Sequence, residues 1–105
     1  MKTGVELIAE ERKIQIEKGY SLKKDLIYTD NELSIAASCY ALSHKDRIEN
    51  LIMTDNINTL PFMFPWGKRC WNPTPNNRIK ELQKAGALIA AEIDRLQKME
   101  GNNEK

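Results

Sequence analysis

The chain has 105 residues, 41% of them hydrophobic and 30% charged, with a formal net charge of +1. That size fits one domain with a modest core, and the composition is that of a folded, soluble chain rather than a disordered one. The near-neutral balance argues against broad attraction to nucleic acid, and no run of about eighteen apolar residues predicts a membrane span.

The start, Met1-Lys-Thr-Gly-Val-Glu-Leu, lacks the apolar segment of a signal peptide, so a cytoplasmic location is expected. Residues 4–18 read as a first helix. Val5, Ile8, Ile14 and Ile16 form an imperfect apolar stripe, the other face is densely charged, and Gly19 stands where a C-terminal cap belongs. Residues 20–29 are a connector flanked by Tyr20 and Tyr28.

A second helix is marked by Thr29 and Glu32, which fit a capping box. Leu33, Ala36, Ala37, Tyr40 and Ala41 follow the spacing of one buried face, and the alanines permit close approach of a neighbour. A short helix from Ser43 to about Met53 is expected next, capped by Ser43 with Asp46 three residues on. The segment from Thr54 to Asn58 is polar and reads as loop.

Residues 60–75 hold both tryptophans, both phenylalanines and all four prolines. Prolines at this density forbid a regular helix, since each lacks an amide donor and restricts the residue before it. So much aromatic surface must either close the core or form a platform for a ligand. The last helix is expected from about Asn77 to Met99. Ile79, Leu82, Gly86, Ile89, Ile93 and Leu96 line one side, the pattern of a core-facing stripe, and Gly86 marks a tight helix crossing. The expected architecture is all-α, a compact bundle of three to four helices with one long aromatic and proline-rich loop. Residues 1–100 form a single helical domain and 101–105 a frayed tail.

Chemistry is sparse. Cys39 and Cys70 form no CxxC pair and read as buried free thiols, and His44, the lone histidine, supports neither a zinc site nor a catalytic triad. Lys68, Arg69, Arg78, Lys80 and Lys84 bracket the aromatic loop and open the last helix. A helix start with nearby guanidinium groups suits an anion, and adjacent rings can stack a base. The alternative is that these cations only solubilise the surface while the tryptophans close the core.

Glu6, Glu10 and Glu17 share a helix face, and paired carboxylates can hold Mg²⁺ with substrate phosphates. The all-α nucleotide pyrophosphohydrolases of the MazG type use an EExxE helix with an ExxD helix. Here Glu10-Glu11 is followed by Arg12, Lys13 and Ile14, so the pattern is not completed, and Glu92 and Asp94 point to different faces.

Three stretches, Gly4-Val-Glu-Leu-Ile-Ala-Glu-Glu-Arg-Lys-Ile-Gln, Glu32-Leu-Ser-Ile-Ala-Ala-Ser-Cys-Tyr-Ala and Arg78-Ile-Lys-Glu-Leu-Gln-Lys-Ala-Gly-Ala-Leu-Ile-Ala-Ala-Glu-Ile-Asp-Arg, together with Pro65-Trp66 and Trp71-Asn-Pro, resemble a family of small phage- and prophage-encoded proteins without a settled activity. Members often carry an acidic, histidine-rich connector before the Glu-Leu helix. Here Ser21-Leu-Lys-Lys-Asp-Leu-Ile-Tyr-Thr-Asp puts lysines, Leu26 and Tyr28 where metal-binding types would be expected, which implies that any such metal has been lost. Phage origin implies work at the host interface: binding a nucleotide-derived immune signal, or inhibiting a host defence protein directly through the aromatic loop.

The leading expectation is thus a non-enzymatic binder, a homo-oligomer, that sequesters a nucleotide-like, phosphate-bearing molecule. Trp66 and Trp71 stack it, Arg69, Arg78 and Lys84 meet its phosphates, and Tyr20 lends a rim, with no catalytic residue, metal or cofactor. The enzymatic alternative is Mg²⁺-dependent nucleoside triphosphate pyrophosphohydrolysis using Glu6, Glu10, Glu32 and Glu92.

Overall fold

A computed structural model of the chain describes residues 1–18, 31–43, 45, 64–66, 70–74 and 76–103. Among them stand three helices, α1 (Gly4–Glu17), α2 (Glu32–Ala41) and α3 (Arg78–Asn103), and no strand. The protein is all-α, with α1 and α2 both packed on the long α3. Gly19, the connector with Tyr20 and Tyr28, Thr29, His44, the segment from Asp46 to Met63, and Gly67 to Arg69 lie outside the described residues. The expected helix through Met53 falls largely there.

Each helix has a local cause. Thr3 and Glu6 form a reciprocal capping box at α1: the Thr3 amide donates to Glu6 Oε1 at 2.9 Å and the Glu6 amide to Thr3 Oγ1 at 3.2 Å. That bond to the Thr3 backbone, with the hydroxyl contact behind it, holds the Glu6 carboxyl below its ordinary 4.5. At α2 the expected Thr29–Glu32 box falls on Thr29, outside the described residues. Asn31 occupies the N-cap in the left-handed region (φ 66°), a conformation asparagine tolerates better than most residues, and its side chain makes no capping bond. Asn77 caps α3, its Oδ1 accepting the Lys80 amide at 3.1 Å, and the helix runs on through Gly101, past the expected end at Met99.

The core lies where α2, the aromatic segment and α3 meet. Leu33, Ala36, Ala37, Cys39 and Tyr40 pack against Phe64, Trp71, Ala85, Leu88 and Ala91. Alanines from both helices bring the backbones close, and the rings fill the remaining space. Tyr40 stacks on Trp71 (centroids 4.7 Å apart), and Phe64 meets Trp71 edge-on at 5.0 Å. Cys39 is buried as expected, but Cys70 is exposed, contrary to the expectation of a buried thiol.

The stripe on the last helix is not the core face. Ile79, Leu82, Ile89, Ile93 and Leu96 are between 44% and 63% exposed, while Glu81, Ala85, Leu88, Ala91, Glu92 and Arg95 are buried. The buried set lies roughly a third of a turn away around the helix. Small side chains there admit α2 more closely than the isoleucines would, and the acids and arginine bury as bonded partners: Arg95 Nε donates to Glu92 Oε1 at 2.6 Å. That bond raises the Arg95 pKa, against burial, which lowers it.

The expected crossing at Gly86 is present. A Cβ there would come within 2.5 Å of Ile8 Cδ1, so glycine is what lets α1 lie against α3.

Candidate functional site

α1 turns an unusual face inward. Its one buried residue is Glu11, whereas Val5 and Ile16 are exposed. Glu11, Gln15 and Lys18 follow i, i+4, i+7 spacing and share a face with Ile14, and Arg12 stands beside them. Opposite lie Leu33 and Tyr40 of α2, Pro65, Trp66, Cys70 and Asn72 of the aromatic segment, and Lys84, Leu88 and Ala91 of α3. Together they line a half-open cavity of about 590 Å³. That volume is in the range of small-molecule sites, which are mostly apolar with a few converging polar groups.

Three cations, Arg12, Lys18 and Lys84, face one carboxylate, Glu11, among the residues lining this cavity. Glu11 is already matched by the Lys80 ammonium. Arg12 is held by Gln15 (3.4 Å) and by Asp94 of α3 (3.7 Å). Lys84 Nζ donates to the Asn72 carbonyl at 2.7 Å and lies 5.8 Å from the centroid of the Tyr40 ring. Burial is the largest influence on its ammonium and lowers its pKa from 10.5, while Glu11 pulls the other way. One wall of the cavity is the Trp66 indole, steadied edge-on by Phe64 at 5.7 Å.

The expected site residues therefore separate. Trp66 and Lys84 come together at the cavity. Trp71 is in the core, 8% exposed, and does not line it. Arg78 clasps the end of α2: Nη1 donates to the Tyr40 and Leu42 carbonyls at 3.1 and 3.0 Å, and Nη2 donates to the Ala41 carbonyl. It also pairs with buried Glu81, whose other oxygen accepts the Thr74 amide at 3.1 Å. Arg69 and Tyr20 lie outside the described residues. Sequence reasoning missed Arg12, Lys18 and Tyr40 as cavity residues. The i, i+4, i+7 run on α1 was the signal, masked because a polar helix face usually means solvent.

The four carboxylates of the enzymatic alternative do not converge. Glu6 caps α1, Glu10 pairs with Lys2, and Glu92 pairs with Arg95, while Glu32 opens α2. Among the described residues no group of three or more His, Cys, Asp or Glu side chains is placed to share a metal, and no helix is long and apolar enough to cross a membrane. Comparison with protein-family models, with curated proteins and with solved structures found no match.

Proposed function

We propose that this chain binds, without transforming it, a phosphate-bearing molecule that carries a base. The supporting observation is the cavity of about 590 Å³ with Arg12, Lys18 and Lys84 on its walls beside the Trp66 indole. The cations meet the phosphates, and half-buried Lys84 does so where water screens it least. Trp66 stacks the base, an interaction worth about 1–3 kcal/mol. The resemblance to phage- and prophage-encoded proteins makes a nucleotide-derived defence signal the natural ligand class, and sequestration the natural role.

Calorimetry with a panel of cyclic dinucleotides, ADP-ribose derivatives and mononucleotides tests this. At least one ligand should bind and be recovered unchanged, and Trp66→Ala and Lys84→Gln should each weaken it about tenfold, equivalent to about 1.4 kcal/mol. Failure of every ligand to bind, or its hydrolysis, overturns the reading.

A further inference from the structure

α3 presents three faces. One packs on α2, and a second receives α1, with Ile8 at Gly86 and Gln83 donating to the Leu7 carbonyl at 3.2 Å. The third carries Ile79, Leu82, Ile89, Ile93 and Leu96, none less than 44% exposed. Gly86, which would complete the row, is covered by Ile8 of α1, so the exposed positions fall in two a/d-spaced runs, Ile79–Leu82 and Ile89–Ile93–Leu96.

Every charge between Ile79 and Leu96 is directed elsewhere. Glu81, Glu92 and Arg95 are buried. Lys80 and Asp94 reach Glu11 and Arg12 of α1. Lys84 lines the cavity. Among the described residues, α3 thus sets none of its own charges on the third face between Ile79 and Leu96, in a chain that is 30% charged.

We infer that this face pairs with the same face of a second copy of the chain, the two α3 helices running antiparallel. A two-fold contact sets a surface against itself, so a charged strip would repel its own image; α3 sets no charge of its own on this one. The exposed strip amounts to roughly 500 Å², near the top of the range for the largest apolar patch on a monomer.

Antiparallel pairing sets Ile79 against Leu96 and Leu82 against Ile93. Parallel pairing would align the helix dipoles unfavourably. Because α3 is already held by α1 and α2, association need not bear the cost of forming the helix.

Light scattering or sedimentation of the whole protein at tens of micromolar should give twice the 12.1 kDa chain mass. Ile89→Glu with Ile93→Glu should return it to the chain mass with its helical circular dichroism intact. A wild-type monomer overturns the inference, and so does a dimer that persists in the double variant, since another surface must then be responsible. In a Cys70→Ser background, Ile79→Cys chains mixed with Leu96→Cys chains should cross-link as mixed dimers. Cross-linking of Ile79→Cys chains with one another instead would overturn the antiparallel arrangement.

Discussion

At the scale of single residues, the two tryptophans divide the labour of the aromatic segment. Trp71→Ala, removing a ring stacked on Tyr40 in the core, is expected to lower stability by about 3–5 kcal/mol, read from the urea midpoint. Trp66→Ala should cost less stability and instead abolish the fluorescence change on nucleotide addition.

Lys84 carries a pH signature. Its folded-state pKa lies below 10.5, so the unfolded chain holds the extra proton between the two values, and stability should rise with pH across that window. Lys84→Met removes the rise. Anion affinity should fall over the same window, before an ordinary lysine titrates, and calorimetry at stepped pH checks both the sign and the residue. Trp66 and Lys84 were legible in the sequence because dense aromatics beside cations restrict what a loop can do. Arg12 and Lys18 were not, since a charged helix face looks the same whether it meets water or walls a cavity.

At the scale of elements, Arg78 joins the end of α2 to the start of α3. Arg78→Ala leaves the last carbonyls of α2 without their donor and should cost about 1–3 kcal/mol in thermal or denaturant unfolding. Arg78→Lys should recover little of it, because a point charge cannot span the Tyr40, Ala41 and Leu42 carbonyls as the planar fork does.

Gly86 sets the α1–α3 crossing. Gly86→Ala gains about 1 kcal/mol of helix propensity but drives a methyl into Ile8. The substitution should therefore destabilise the wild type and stabilise an Ile8→Ala background, a sign reversal that a double-mutant cycle resolves. All three helices are legible from periodicity and glycine or polar end signals, and the Thr3–Glu6 box adds a cap that periodicity alone does not require. The buried face of α3 was not legible. Hydrophobic spacing picks out the isoleucines, whereas alanines and internally paired acids decide which side a neighbouring helix can approach.

At the scale of the whole molecule, the all-α class follows from three helix-period segments and the absence of any alternating pattern. The site follows less directly, because it is assembled from α1, α2, α3 and the aromatic segment, and no stretch of chain announces that convergence. The Tyr40 hydroxyl receives the Asn72 amide at 3.0 Å, and the residues beside it are gripped by Arg78. The chain that leaves α2 at Leu42 and returns at Cys70 is therefore stapled at its base, whatever its length. Tyr40→Phe, which removes the hydroxyl that holds the Asn72 amide, should accordingly loosen that base, costing about 1 kcal/mol and a few degrees of melting temperature.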